Sequence, residues 1–395
     1  MKMYKVFSIL VMSMMVLTAC GTAATATTEA PAPATAVPAT VAPETAVPPT
    51  TAPQTAPTLP TLNVTVDSIK LAMHLADQAG SGQTASYTGT SGKTIGVVMP
   101  QFDNEGFRAM YIGIMIEAID QKWSVITLDA HLSADTQLAD IEDLITQKVD
   151  AIAFTPVDSA ALSTGVEAAN TANIPIVAMD RSTDAGNVAQ LVESDNVAHG
   201  AGGADMMLAA ITTAGLKPAD VQILELLGDQ ATSAGVERHQ GFSDRAAVLG
   251  LNIVTALPTY WDNAKANAAV LDAFQAHPGI TAIFSASGCA MLAGIESALK
   301  SLNLYTVIGD PKHIIIVDVD GCPISLAGIR DGYVDGDVAQ RQPLMGALAV
   351  KAAISAASGV TVEKTILLPP DPITKANVDD LSHWANQLVA GGYLK

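Results

Sequence analysis

The pattern of apolar runs and amphipathic stretches in this chain predicts an α/β protein built as two doubly wound, parallel-sheet lobes. Three observations lead there. Between Lys93 and Lys395, short continuous apolar runs alternate with helical patterns almost without interruption. The alternation comes in two successive sets, and the stretch is long enough for two lobes of about 150 residues, each with its own core. The run Ile174–Met179 ends in Asp180-Arg181, a charged couple at the carboxyl end of a buried strand, which is where open α/β sheets place their ligands. Taken alone, that couple is equally well read as a solvated strand end with a local ion pair.

The first set begins with a strand at Thr94–Met99, a helix from about Glu105 to Gln121 and a strand at Ser124–Asp129. Ser133 can cap the next helix, whose Leu138, Ile141, Leu144 and Ile145 share one face. Ala151–Thr155 is then a buried strand, a helix from about Ser159 to Ala172 leads to the strand ending at Asp180, and Val188–Glu193 precedes Asp195-Asn196. In the second set, Gln222–Gly228, Asn252–Thr259, Ala282–Ser287, Ile314–Asp320 and Val334–Gln340 read as strands with helices between them. Continuous apolar strands separated by amphipathic helices imply parallel sheets covered on both faces, with a ligand cleft between the strand ends of the two lobes.

The segments ahead of this body have a different composition. Lys2 and Lys5 precede an apolar run from Val6 to Leu17 that ends in Leu17-Thr18-Ala19-Cys20, the layout of an export signal over residues 1–19. With small Ala19 before Cys20 and Gly21 after it, the segment resembles a bacterial lipoprotein signal, which implies lipidation of Cys20 as the first mature residue. Residues 20–60 are Thr, Ala and Pro with only Glu29 and Glu44 charged, a composition without the bulky apolar surface for a core. They read as a tether that, at ~3.1 Å per residue in a polyproline conformation, could hold a domain on the order of 100 Å from a bilayer. In residues 61–92, Val66, Ile69, Leu71, Ala72 and Leu75 could form one face of a short helix, but glycine-rich flanks leave the segment without an assigned role. No other stretch is long and apolar enough for a membrane span, so the expected membrane attachment is by lipid alone.

The chain carries 20 Lys and Arg against 39 Asp and Glu, a net charge of −19, nearly all of it in the body. Such a surface repels nucleic acid and anionic lipid. The sequence contains no Gly-x-Ser-x-Gly elbow, phosphate-binding loop or His-Glu-x-x-His, and its seven His residues show no metal-ligand spacing. No enzyme activity, cofactor or metal is therefore expected. Gly200-Ala201-Gly202-Gly203-Ala204-Asp205 brushes against a dinucleotide fingerprint but ends in Asp where the last Gly belongs, so close packing of small residues is the better account.

A set of short stretches then recurs in a definite order. These are Thr94-Ile95-Gly96-Val97-Val98 with Asp103-Asn104-Glu105-Gly106-Phe107; Ala172-Asn173-Ile174-Pro175-Ile176 with Asp180-Arg181; Ser194-Asp195-Asn196; Thr232-Ser233-Ala234 with Glu237-Arg238 and Gly241-Phe242; Asp320-Gly321; and Val338-Ala339-Gln340. Together they resemble the periplasmic sugar-binding proteins of ribose, galactose and xylose type, which deliver ligand to ABC importers, over Lys93 to about Ile373. The resemblance implies a multi-strand hinge, with 93–195 and 341–369 in the first lobe and 196–340 and 370–395 in the second. It also implies sugar contacts from Asn104 and a stacking Phe107 after the first strand, from the strand-end pair Asp180 and Arg181, from Arg238, from a second stacking aromatic at Trp261, from Asp320 and from Gln340 at the lobe crossing. The chain departs from its relatives at Ser287-Gly288-Cys289, where many have an Asn that donates to the ligand, and at Arg341, often apolar in relatives, which could alter the pocket.

The chemistry of these residues agrees. Sugar hydroxyls both donate and accept, so their site needs carboxylates, guanidiniums and amides, plus aromatic faces for C–H patches. Asp180 and Asp320 balance Arg181 and Arg238, which favours a neutral polyhydroxylated ligand over a phosphate or an amino acid. Cys289 and Cys322 both follow strand ends of the second lobe, and two readings stand: a disulfide, which export permits, or two unpaired small core residues. The expected function is that of a lipid-tethered, monomeric receptor that passes a small neutral sugar or polyol to a membrane permease. A sensor reporting a sugar or furanosyl signal to a chemoreceptor or kinase is the alternative, and a glycan hydrolase, which would need two carboxylates flanking one bond, is the enzyme alternative. A repressor with a helix-turn-helix head conflicts with the export signal and the acidic surface.

Overall fold

The structure, a computed structural model, describes residues 65–390; the expected signal peptide, Cys20 and the tether lie outside the described residues. The segment before the body forms regular structure. Thr65 caps α1 (Val66–Gly80) by accepting from Ser68 N at 3.2 Å, and Ile69, Ala72 and Leu75 turn inward, while Val66 faces out. β1 (Ala85–Tyr87) follows, so residues 66–87 hold the short helix that the apolar spacing allowed and an edge strand that the sequence pattern did not show.

The body continues with β2 (Thr94–Met99), α2 (Glu105–Asp120), β3 (Ser124–Asp129), α3 (Ala134–Gln147), β4 (Ala151–Phe154), α4 (Ser163–Thr171), β5 (Ile176–Met179) and β6 (Leu191–Ser194). Together with β12 (Thr365–Leu368) these strands make a seven-stranded sheet in the order β1-β3-β2-β4-β5-β6-β12, parallel except for β1 at its edge. Every residue of β4 and β5 is buried, as continuous apolar runs in a parallel sheet require. α3 and α4 cover one face through Ile141, Leu144 and Val166. α2 and α10 (Gln342–Ala357) cover the other through Met110, Ile114, Met345 and Val350.

The second sheet contains β7 (Gln222–Leu227), β8 (Asn252–Pro258), β9 (Ile280–Ser285), β10 (Ile315–Asp320), β11 (Gly336–Ala339) and β13 (Asp371–Ile373), in the order β13-β11-β10-β9-β7-β8 with only β13 antiparallel. α5 (Asn196–Thr213) and α6 (Ser233–Leu249) lie on one face, against Phe284 and Val317. α7 (Asn263–Ala276), α8 (Gly288–Ser301) and α9 (Pro323–Asp331) lie on the other, and α11 (Trp384–Ala390) packs beside α9. Two parallel-dominated sheets with helices on both faces make the two-lobed α/β architecture that the alternation predicts.

The glycine-rich stretch at 200–205 is a packing surface. A Cβ on Gly200 would overlap the Arg238 carbonyl, and one on Gly241 would overlap the Val197 carbonyl, so α5 and α6 approach backbone to backbone. That contact seats Arg238. Some element limits differ from the sequence reading for visible reasons. α4 starts four residues later than expected because Ser159 N donates to Ala231 O, on the other lobe, at 3.1 Å, leaving residues 159–162 as turns. β9 ends at Ser285 because Ser287 caps α8, accepting from Ala290 N at 3.1 Å.

The chain passes between the sheets three times, after β6, after β11 and between β12 and β13, and the crossings are bonded to one another. Asp195 N donates to Leu368 O at 2.9 Å, and Ser194 Oγ donates to Gln340 Oε1 at 2.8 Å. His199 Nε2 lies 3.2 Å from Ala339 O. Among the described residues no helix is long and apolar enough to cross a membrane.

Candidate ligand-binding site

The carboxyl ends of strands from both sheets face one shared hollow. Each of the eight residues singled out in the sequence lines it: Asn104, Phe107, Asp180, Arg181, Arg238, Trp261, Asp320 and Gln340. Gln101, Ser287, Cys289 and Gln342 also reach it. Arg341 does not, contrary to the expectation that it could alter the pocket; its Nε donates to Pro369 O at 3.3 Å, which turns it toward the crossing after β12.

From the first lobe, Asn104 caps α2, its Oδ1 accepting from Gly106 N at 2.8 Å and Phe107 N at 3.3 Å. Its carbonyl is thus committed to the helix, and its amide N–H groups are what it can offer a ligand. Asp180 and Arg181 sit in the bend after β5. Asp180 holds a positive φ of 67° and Arg181 N donates to Met179 O at 2.8 Å, which swings both side chains out of the sheet. Arg181 Nε lies 3.2 Å from Asp180 Oδ2 but out of line for a hydrogen bond, and among the described residues the guanidinium makes one hydrogen bond, from Nη1 to Pro156 O at 3.3 Å. Its guanidinium carbon is 5.5 Å from the Phe107 ring centre and 5.7 Å from that of Trp261, so both aromatic faces lie beside the same cation. Burial pulls the Arg181 guanidinium down from its ordinary value and Asp180 opposes this, leaving it cationic.

The second lobe contributes a denser network. Arg238, buried in α6, donates to Asn196 Oδ1 at 3.0 Å, to Ala286 O at 2.8 Å and to Asp320 Oδ1 at 3.1 Å. Asp320 also accepts from Gln340 Nε2 at 2.6 Å and from the Ser287 hydroxyl. Within the Ser287-Gly288-Cys289 stretch, Ser287 is thus spent on Asp320 and on the cap of α8. Burial pushes the Asp320 carboxyl up, and Arg238, Ser287 and Gln340 pull it back. Trp261 follows β8 with φ of 58°, its indole filling space that Gly228 leaves open. Asp180, Trp261 and Asp320, with φ of 67°, 58° and 113°, are three non-glycine residues in sparsely populated backbone conformations, all at this hollow. Such residues persist where the surroundings over-determine them, and they cluster at ligand clamps.

Three buried polar atoms on lining residues have no hydrogen-bond partner among the described residues: Arg181 Nε, Trp261 Nε1 and Gln342 Oε1. Two are donors and one is an acceptor, a set that hydroxyl groups can satisfy. Gln342 and Gln101 escaped the sequence reading; Gln342 is the first residue of α10, directly after the Gln340 crossing, and an amide at that helix start was the signal available. Cys289 and Cys322 form a disulfide with Cα atoms 5.5 Å apart. Both sulfurs and an Asp320 oxygen lie within 4.8 Å of one another, but sulfurs joined to each other have no thiolate to give, and no metal centre is assigned.

The periplasmic binding protein domain model matches residues 95–361. This chain belongs to that family. It is 36% identical to the ribose import binding protein of Bacillus subtilis over 276 residues, 70% of this chain and 85% of the relative. It is 28% identical to the xylitol-binding protein of Mycolicibacterium smegmatis over 76% of this chain and 82% of that protein. In fold it is similar to an ABC transporter solute binding protein from Bacillus halodurans solved with bound myo-inositol, with a TM-score of 0.66, 24% identity, and coverage of 75% of this chain and 99% of the other. Family members are extracytoplasmic solute-binding proteins, and this periplasmic binding protein has the two lobes and the shared cleft of that class.

Proposed function

We propose that this protein is the extracytoplasmic receptor of an ABC-type importer, capturing a small neutral sugar or polyol between its lobes and presenting the closed form to the permease. The observation that carries the reading is the convergence of two Asp, two Arg and two aromatic faces from both lobes on one hollow, with Arg181 Nε, Trp261 Nε1 and Gln342 Oε1 lacking partners among the described residues. Opposite charges balance there, so a neutral guest is favoured, and its hydroxyls supply the missing donors and acceptor. The relatives named for ribose and xylitol fit the same class. A ligand touching both walls stabilises the closed arrangement by its differential affinity for it.

In the cell the receptor is held by a lipid on Cys20, with residues 20–60 as the tether, and acts as a monomer without cofactor, metal or enzymatic turnover. The acidic surface keeps it off anionic lipid despite that anchor. A melting screen against pentoses, hexoses, inositols and acyclic polyols tests the reading. A ligand at about 100 times its dissociation constant adds ~2.7 kcal/mol of stability. Silence across the whole panel would remove the sugar assignment.

A further inference from the structure

Beneath the clamp carboxylate Asp320 lies a feature that sugar binding does not itself require. Asp318 on β10 and Asp337 on β11 are direct partners in the parallel register, and both are fully buried. Each carboxyl has one oxygen engaged: Asp318 Oδ2 accepts from Ser325 Oγ at 2.7 Å, and Asp337 Oδ2 accepts from Gly321 N at 3.0 Å. The other two oxygens, Asp318 Oδ1 and Asp337 Oδ1, are buried with no donor among the described residues. Neither carboxyl has a Lys, Arg or His ion-pair partner among the described residues; Ser325 of α9 bonds Asp318, and Gly288 of α8 lies against it. The charged group bearing on both is Asp320, which is also negative. Two adjacent buried anions without a counter-ion are untenable, whereas one proton between them supplies the donor that both orphan oxygens need.

We propose that Asp318 and Asp337 hold one proton between them and, through the Asp337–Gly321 hydrogen bond, act as positioning residues that aim Asp320 at the ligand. The bond to Gly321 N fixes the turn in which Asp320 and Gly321 take φ of 113° and 76°, and this turn sends the Asp320 carboxylate toward Arg238, Ser287 and Gln340. Burial raises both carboxyls of the pair above their ordinary value; the charge of Asp337 raises Asp318 further, while hydrogen bonding with Asp318 and Gly321 pulls Asp337 back, in keeping with a proton shared between them. Because the folded form binds protons that the unfolded chain has already released, the stabilisation is full at low pH and is lost as pH rises through the folded-state value. Loss of the shared proton would put three carboxylates together and loosen the turn, so ligand affinity falls on the same alkaline limb.

This proposal rests on the sugar-receptor reading only for its ligand arm, and the experiment separates the two. Infrared spectra of the ligand-free protein are expected to show a buried protonated carboxyl at neutral pH that disappears in Asp318→Asn and in Asp337→Asn. Melting temperature against pH is expected to fall on the alkaline side in the wild type and to flatten in Asp337→Asn, whose amide can accept from Gly321 N and donate to Asp318. With D-ribose as the probe in calorimetry, Asp337→Asn should keep its affinity within about twofold and lose its pH dependence, while Asp337→Leu should weaken it by about tenfold. Identical infrared spectra or parallel melting profiles in wild type and Asn variants would overturn the shared proton, and unchanged D-ribose affinity in Asp337→Leu would overturn the positioning role. If the wild type bound no D-ribose, xylitol or myo-inositol at any pH, the sugar reading would fail while the infrared and melting results still decided the proton.

Discussion

The two walls of the cleft are built to different standards. On the second-lobe wall, Arg238 makes three hydrogen bonds to protein acceptors, and Asp320 accepts from Arg238, Gln340 and Ser287. On the first-lobe wall, among the described residues, the Arg181 guanidinium has one hydrogen bond and an unpartnered Nε, and the Asn104 amide has only its carbonyl engaged. Apart from Trp261 Nε1, the second-lobe wall is satisfied and pre-organised, so a guest meets its charged groups without an ordering cost. The under-satisfied wall gains most of its partners from the guest. Binding free energy should therefore come disproportionately from the first-lobe groups, and folding free energy from the second-lobe ones.

The largest expected effect is at Arg238. Arg238→Ala leaves Asp320 as a buried carboxylate without its cation, which should cost about 3–5 kcal/mol of folding stability and ~2 kcal/mol or more of binding. Denaturant melts and calorimetry check both numbers. Unfolding free energy and ligand affinity equal to wild type would show that the network does not organise the wall. Next comes the disulfide, which ties the start of α8, where Ser287 meets Asp320, to the cap of α9 across a sequence separation of 33. Reduction, or Cys289→Ser with Cys322→Ser, should lower stability by about 3 kcal/mol and weaken ligand binding, since the staple braces the pre-organised side. An unchanged melting temperature under reductant would contradict that bracing. Arg181→Ala sharpens the contrast. It should cost no more than about 1 kcal/mol of stability but about tenfold or more in affinity, because it removes one protein bond and a donor aimed at the guest. Equal destabilisation by the Arg181 and Arg238 substitutions would erase the proposed asymmetry.

The same asymmetry explains what could be read from the sequence. Buried parallel strands announce themselves as apolar runs, so β2, β4, β5 and β10 were visible, and the charged residues just beyond them marked the cleft. The edges of the first sheet were not visible. β1 is Ala85-Ser86-Tyr87 and β12 is Thr365–Leu368 with exposed Leu367, and strands so short and half-covered carry no periodic signal. Charge pairs adjacent in sequence, such as Asp180-Arg181, could be noticed, but Arg238 with Asp320 became a pair only through the resemblance and then through the fold, being 82 residues apart. The partnership of Asp318 with Asp337 depends wholly on β10–β11 register, which no local pattern encodes. The N-cap role of Asn104 was hidden for another reason: a residue type suited to bonding hydroxyls is equally suited to capping a helix.

The smallest expected effect tests how the two walls are brought together. At the lips of the cleft, Ser182 N, next to Arg181, donates to Ser233 Oγ at 3.0 Å, and Ser159 N donates to Ala231 O at 3.1 Å. Both bonds run from first-lobe loops to the segment that opens α6, so they exist only while the lobes are together. Ser233→Ala deletes one of them and leaves the helix cap intact, because Thr232 Oγ1 is the group that accepts from Gly235 N, at 3.3 Å. A single half-exposed hydrogen bond contributes about 0.5–1.5 kcal/mol, so ligand affinity should fall by about two- to tenfold while the unfolding of ligand-free protein stays within ~0.5 kcal/mol of wild type. The loss should appear in the dissociation rate, since the bond favours the closed form that retains the guest. If Ser233→Ala instead slowed association and left dissociation untouched, the lip would be guiding the encounter rather than holding the lobes shut, and the under-satisfied first-lobe wall would have to be drawn in by the ligand alone.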